Sequence, residues 1–372
     1  MKKHVSTIII SVITLAVVII TGKEFLEHRV PETIVPGPGV SEIKHLSDWY
    51  PGLKGSRGDT EVYVLRGRAP GGSMLVLGGT HPNEPSGYVS AILLIENASV
   101  EMGTLYVIPR SNNSAFSHND PQEGAPASFT IQKPDGSSRK FRFGSRATNP
   151  LDQWPDPDVY IHDSSGQRLS GNETRNLNRG YPGRTNGTFT EKVCYGITQL
   201  ILSENITLTI DLHEASPEYP VINAIVSHER GMILASNVVL GLEMLDIFIG
   251  LEPSPRNLRG LTHRELGDAT DTFAVLMETA NPAQGRLRGR TDEHLVLTGQ
   301  DTYYVKAQKL GRLYVPFDEK GHPLEERVGR HLAGIGEFAF VLGLEFPEHE
   351  VIIDGIPDYY ELQEKGIGAY LR

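Results

Sequence analysis

The chain has 372 residues and a formal net charge of −11. This length is enough for one large domain with a substantial core, and the acidic balance argues against nucleic acid as a partner. The single cysteine, Cys194, excludes an intrachain disulfide bond.

The N-terminus combines a basic flank with an apolar run. Lys2, Lys3 and His4 precede an uncharged segment at residues 5–22. The run is long enough to span a bilayer, and no Ala-x-Ala cleavage motif follows it. We predict an uncleaved signal anchor over residues 1–28, which would hold the domain outside the cytoplasm. The alternatives are a secreted or periplasmic protein after cleavage, and a buried core helix.

Beyond the anchor, the pattern predicts a linker and then one main domain. Residues 29–41 are rich in proline and glycine, so we predict a stiff linker and a domain at 42–372. Apolar runs predict strands at 61–68, 73–77, 104–109, 206–212, 223–227, 273–277 and 351–353. Helices are predicted at 85–96, 188–204, 232–248, 291–310 and 326–342. This alternation indicates an α/β fold.

One long segment, 111–174, shows no periodicity. A structureless loop of this length is uncommon inside a compact domain, and the aromatic residues in it argue against disorder. We therefore predict an insertion that packs beside the functional site.

Potential metal ligands stand at the ends of two predicted strands. His81 and Glu84 follow the strand at 73–77 and a double glycine, and His213 ends the strand at 206–212. Ligands bind at the carboxyl ends of strands in open α/β sheets. Two histidines and a glutamate, with a fourth position open, are typical of a catalytic zinc site. Asp211 lies on the same face of its strand as His213 and could orient a ligand or cap a turn.

Other polar residues could complete an active site. The run Asn176-Leu177-Asn178-Arg179 lies in a glycine-rich loop, and an amide beside a guanidinium suits a carboxylate. Glu278 ends an apolar strand and is well placed to act as a general base. Arg264, with His263, precedes that strand and could face the substrate.

Four motifs in chain order resemble the zinc carboxypeptidase superfamily, and within it the succinylglutamate desuccinylase and aspartoacylase group. They are Gly-Gly-x-His-x-x-Glu-x-x-Gly, Asn-Leu-Asn-Arg, Asp-Leu-His and Glu-Thr-x-x-Pro. The resemblance implies a mixed, mostly parallel sheet flanked by helices and one zinc ion bound by His81, Glu84 and His213. It also implies that Glu278 is the catalytic base and proton shuttle and that Asn178 and Arg179 hold the substrate carboxylate. Asn176 departs from the group, which often has aspartate at this position.

We therefore expect a membrane-anchored, zinc-dependent hydrolase that cleaves an amide bond next to a carboxylate. The first hypothesis is a deacylase of N-acyl amino acids, and the alternative is a metallocarboxypeptidase acting on peptides or cell-wall fragments. A short cleft would favour deacylation, whereas an open groove would favour peptides. The third hypothesis is a non-catalytic binding module on the same fold, against which the presence of Glu278 beside all three ligands argues.

Overall fold

A mixed β-sheet forms the centre of the protein. The computed structural model describes residues 2–120 and 124–372, so Met1 of the predicted anchor and residues 121–123 of the predicted insertion lie outside the described residues. The strands are β1 (Glu42–His45), β2 (Glu61–Arg66), β3 (Ala69–Leu77), β4 (Ser99–Ile108), β5 (Ser128–Gln132), β6 (Ser138–Arg142), β7 (Val159–Ile161), β8 (Arg168–Ser170), β9 (Leu208–Ala215), β10 (Ala224–Ser227), β11 (Gly250–Pro253), β12 (Phe273–Ala280) and β13 (Ile352–Asp354).

Helices surround this sheet on both faces. The helices of the described residues are α1 (Lys2–Glu27), which is exposed and does not cover the sheet, α2 (Pro85–Asn97), α3 (Phe189–Ser203), α4 (Met232–Met244), α5 (Thr262–Ala269), α6 (Glu293–Thr298), α7 (Thr302–Lys309), α8 (Leu324–Glu345) and α9 (Tyr359–Lys365). Alternate side chains of β3 point to opposite faces, so Met74 packs in the core with α2, α4 and α8, and Leu75 packs in the core with α3. The sheet is therefore buried between two helical layers.

The strand order is β1-β2-β4-β3-β9-β12-β10-β11, and β13 pairs with β4. The central strands β4, β3, β9 and β12 are parallel, whereas β2 and β10 pair with this centre in antiparallel fashion. The predicted fold class, a mixed sheet flanked by helices, is confirmed, with parallel pairing concentrated in the centre. Because β3, β9 and β12 are parallel neighbours, their carboxyl ends lie together at one edge.

Helix α1 is the exposed apolar element at the N-terminus. Among the described residues, the stretch His4–Glu27 is long and apolar enough to cross a membrane, and its large apolar side chains are exposed. It is consistent with a membrane anchor or a signal sequence.

The segment after α1 packs on the domain instead of separating it from the helix. Glu32 is buried, its carboxylate lies 3.1 Å from Arg110 Nε, and it accepts a hydrogen bond from the Arg142 backbone N–H at 2.8 Å. The Val35 N–H donates to Glu96 at 3.0 Å. The packed body therefore begins earlier than the predicted residue 42.

Two further predictions differ from the structure. The helix predicted at 291–310 is divided into α6 and α7 at Gly299, whose φ of +64° ends α6 in the left-handed conformation. The segment 111–174 contains two antiparallel hairpins, β5–β6 and β7–β8. Short strands joined by tight turns escape a search for long periodic runs.

Candidate metal centre

A glycine turn brings His81 and Glu84 to the end of β3. Gly79 has a φ of +66°, and a Cβ at this position would lie 2.8 Å from the Pro109 carbonyl oxygen and 2.7 Å from the Phe116 ring. Only glycine fits such a position without strain. The Glu84 N–H donates to the His81 carbonyl at 2.9 Å, which closes the turn just before α2 begins.

His81, Glu84 and His213 converge on one point. All three are buried, and their ligand atoms lie within 4.8 Å of one another. Glu84 Oε1 lies 2.9 Å from His81 Nδ1, and Glu84 Oε2 lies 3.0 Å from His213 Nδ1. The structure therefore brings together the three residues that the sequence predicts as ligands.

Each histidine has a different partner on its outer nitrogen. His81 Nε2 lies 2.8 Å from Asn176 Oδ1, and His213 Nε2 lies 2.8 Å from Asp211 Oδ2. Both partners accept hydrogen bonds, so each Nε2 carries the hydrogen and the Nδ1 atom of a neutral ring presents its lone pair inward. Two such nitrogens beside a carboxylate are a donor set that fits zinc.

The two histidines differ in their pKa because their surroundings differ. Burial lowers the pKa of His81 and outweighs the opposing effect of Glu84. Burial also acts to lower the pKa of His213, but the Asp211 and Glu84 carboxylates raise it well above its ordinary value. Burial acts to raise the pKa of Glu84, but the two histidines hold it well below its ordinary value.

Glu278 stands beside the metal ligands on the neighbouring strand. It is paired in register with His213 across β9 and β12. Its side chain is half-buried, and Glu278 Oε2 has no hydrogen-bond partner within the described residues. Loss of solvent raises the pKa of this carboxyl to about 8. A free carboxylate oxygen at this place can exchange a proton with a reacting group.

Asn178 and Arg179 face the same cavity. Together with the ligands and Glu278 they line a volume of about 590 Å³. Arg179 Nη1 donates to the Asn178 carbonyl at 2.6 Å, and Arg179 Nε lies 3.7 Å from Glu173 Oε2. Asn178 Oδ1 accepts hydrogen bonds from the Thr262 N–H at 2.8 Å and the Thr262 hydroxyl at 3.0 Å. These contacts hold the two side chains at the rim of the metal group.

Two polar chains connect the metal ligands to this pair. On the His81 side, Asn176 Nδ2 donates to Glu173 Oε2 at 2.7 Å, and Glu173 in turn lies near Arg179. On the His213 side, the Thr262 hydroxyl lies 2.6 Å from Asp211 Oδ2 as well as close to Asn178. The ligands and the predicted carboxylate-binding residues thus form one connected network.

Arg264 is not brought to this cavity, which corrects its predicted role. Its guanidinium is buried on the other side of α5 and pairs with Glu229 and Asp268. The preceding residue, His263, lines the cavity instead. Consecutive helical residues point in different directions, so only one of the two can face the substrate.

Arg146 is a cavity residue that the sequence analysis misses. Its Nη1 lies 3.8 Å from Glu84 Oε1, and its side chain is 42% exposed. It comes from the segment 111–174, where no motif marks it. Arg146 and Gln284 line both the metal cavity and an adjoining cavity of about 540 Å³, whose other lining residues include Arg286 and Arg288. The predicted position of the insertion beside the site agrees with this geometry.

No family model matches the sequence, and no curated protein matches it. Among solved structures, the chain is similar to a succinylglutamate desuccinylase from Silicibacter sp. TM1040, with 16% identity and a TM-score of 0.37, over 61% of this chain and 55% of that protein. It is similar to a metallo-carboxypeptidase from Burkholderia cenocepacia, with 11% identity and a TM-score of 0.44, over 87% and 68% of the two chains.

The chain is also similar to the apo Cell Shape Determinant protein Csd4 from Helicobacter pylori. Here the identity is 14% and the TM-score 0.43, over 82% of this chain and 58% of that protein. The chain thus spans little more than half the length of Csd4 and of the desuccinylase.

Proposed function

We propose that the protein is a zinc-dependent hydrolase that cleaves an amide bond next to a carboxylate, with one zinc ion per chain. The convergence of His81, Glu84 and His213 beside an open cavity is the observation that carries this proposal. Three protein ligands with an accessible fourth position are typical of a catalytic zinc site. A bound zinc would act as a Lewis acid toward the amide carbonyl and the attacking water.

Side chains of the protein carry out proton transfer, substrate binding and charge stabilisation. Glu278 accepts the proton of the attacking water and returns it to the leaving nitrogen, because its side chain lines the same cavity as the ligands. Arg179 and Asn178 hold the substrate carboxylate, which fixes the amide beside Glu278. Arg146 is a second cation at the ligands and can stabilise negative charge that develops on the carbonyl oxygen.

The leaving group is thus an amino acid or a similar small carboxylate, and the first candidate activity is deacylation of N-acyl amino acids. One observation favours the second candidate, a metallocarboxypeptidase. The adjoining cavity meets the metal cavity at Arg146 and Gln284, and the two volumes together exceed the needs of a small acyl group. An extended acyl part, such as a peptide or a cell-wall fragment, has room there.

The proposed location follows from α1. An apolar helix preceded by a basic flank would anchor the chain with its catalytic domain outside the cytoplasm. Cleavage after the helix would instead release the domain to the periplasm or the exterior. Either way, the proposed substrates are amides met outside the cytoplasm.

The test is hydrolysis by the full chain in detergent, supplied with zinc. Substrates are α-N-acetyl amino acids and dipeptides with a free carboxyl terminus, and the released amine is measured. We expect turnover by the native chain and a loss of about 10²–10⁴-fold in kcat for Glu278→Gln, with zinc retained. Equal turnover by the variant would remove Glu278 from catalysis. A zinc-loaded native chain that hydrolyses neither class but binds these compounds would favour the binding module.

A further inference from the structure

The floor of the metal cavity is one row of side chains that crosses the sheet. Asp211 pairs with Leu276, Leu276 with Val226, and Val226 with Glu252. Paired residues on adjacent strands point to the same face. The row therefore begins at the residue that supports His213, continues over two buried apolar side chains and ends at a carboxylate on the edge strand β11.

The cavity around this row is lined by apolar side chains and by the imidazole of His263, whose Nδ1 lies 2.7 Å from Ser254 Oγ next to β11. Its other lining residues on this side are Val221, Pro253, Pro255, Leu258 and Leu261. Two aliphatic side chains of the row, with the prolines and leucines beside it, line the part of the cavity between Glu278 and Glu252. We call this part of the cavity the channel. Such a channel suits an aliphatic stem.

Glu252 is the acidic side chain of the cavity that is neither a metal ligand, nor the proposed base, nor part of an ion pair among the described residues. Glu84 is a metal ligand, Glu278 is the proposed base, and Glu214 forms a buried ion pair of 2.7 Å with Arg327. Glu252 is exposed, and it makes no ion pair or side-chain hydrogen bond within the described ranges 2–120 and 124–372. An unpaired carboxylate at the end of an apolar channel can bind a cation.

The charges of the cavity are therefore separated. Arg146 and Arg179 provide positive charge near the metal ligands, and Glu252 provides negative charge at the far end of the channel. Strand β11 lies two strands beyond β12, which corresponds to roughly 10 Å at the usual strand spacing. The four-carbon stem of a lysine and the side chain of the glutamate together span a distance of this order.

We propose that Glu252 determines specificity, and that the amino acid released by the enzyme has an aliphatic side chain ending in a cation. This inference rests on the proposed function, because it assumes that Asn178 and Arg179 hold the carboxylate of the same residue. The carboxylate lies at the arginine end, the stem lies over Leu276 and Val226, and the terminal ammonium or guanidinium pairs with Glu252. An acidic side chain is repelled by the same carboxylate.

The experiment compares three substrates that differ at the end of one side chain. They are the α-N-acetyl derivatives of lysine, norleucine and glutamate, given to the zinc-supplied full chain in detergent. We expect kcat/KM for the lysine compound to exceed that for the norleucine compound by about tenfold. Glu252→Gln should abolish this preference, and Glu252→Lys should shift it toward the glutamate compound. Glu101→Gln, an exposed carboxylate on β4, is the matched control and should leave the preference unchanged.

Binding is measured beside turnover by calorimetric titration of the same compounds into Glu278→Gln and into Glu278→Gln/Glu252→Gln. A lysine preference present in the first and absent in the second supports the role of Glu252 even if no substrate is hydrolysed. An equal preference in both proteins, or none in the first, overturns the role even if the enzyme is active. Absence of turnover with every compound counts against the proposed function alone.

Discussion

The two histidines of the candidate metal centre share one glutamate but differ in what lies behind them. His81 has a neutral amide, Asn176, on its outer nitrogen, whereas His213 has the carboxylate of Asp211. Both rings are buried to a similar degree, yet the pKa of His81 falls and that of His213 rises. Burial thus prevails at His81, whereas at His213 the carboxylates of Asp211 and Glu84 together outweigh it.

We expect the largest effect on zinc binding from a variant that gives both histidines an amide on the outer nitrogen. In Asp211→Asn both outer partners are amides, and His213 loses the carboxylate that makes it a strong ligand. We expect zinc affinity to fall by about 10–100-fold, measured by competition with a chelating dye. Affinity equal to that of the native chain would mean that the Asp211 carboxylate does not support the ligand.

The second effect concerns substrate binding by Arg179. Asn176 and Glu173 connect this residue to His81. Arg179→Lys keeps the charge but removes the planar fork that binds a carboxylate through two hydrogen bonds. We expect KM for a carboxylate substrate to rise about tenfold with zinc affinity unchanged. The control is Arg66→Lys on β2, which should change neither quantity. A normal KM in Arg179→Lys would exclude Arg179 from carboxylate binding.

A smaller effect should follow from adding a carboxylate behind His81. Asn176→Asp alone would place two acidic groups together, because Asn176 donates to Glu173. The variant is therefore combined with Glu173→Gln, which can donate to the new aspartate, and Glu173→Gln alone is the control. We expect the double variant to bind zinc a few-fold more tightly than the control, as on the His213 side. Weaker binding would show that the amide is the better partner here.

The same contrast predicts how zinc binding depends on pH. The raised pKa of His213 means that its proton stabilises the metal-free fold fully below pH 6.5, and that this contribution is lost as pH rises through the folded pKa. His81, with a lowered pKa, is neutral at pH 7. Zinc should therefore displace at least one proton at pH 7, that of His213, and fewer in Asp211→Asn. Calorimetric titration in two buffers of different ionisation enthalpy measures this number. Zero protons released by the native chain would contradict the assignment.

The ligands could be predicted from sequence because each lies near the carboxyl end of a buried strand. A strand of apolar residues followed by His81 and Glu84, or ending in His213, identifies the edge of the sheet without any long-range information. The same rule predicts Glu278 at this edge of the sheet. The fold class follows from the alternation of strands and helices. The ligand positions and the fold class both depend on patterns among residues that are close in the sequence.

The other cavity residues depend on contacts between distant parts of the chain. Arg146 reaches Glu84 from a segment without periodicity, and Glu252 enters the cavity through a short edge strand that no apolar run marks. The position of Arg264 in the sequence predicts a contact with the substrate. In the structure its guanidinium pairs instead with Glu229, which lies in a different loop. For the β5–β6 hairpin a signal did exist, since Pro134-Asp135-Gly136 between two alternating segments is typical of a turn.

Metal content tests the central claim most directly. The full chain is purified in detergent beside a His213→Ala variant, both are supplied with zinc and freed of excess, and bound metal is measured by plasma mass spectrometry. Circular dichroism confirms that both proteins are folded. We predict about one zinc per native chain and a loss of most of it in His213→Ala. A folded native chain that holds no metal, or a variant that keeps it, would contradict the proposed metal centre.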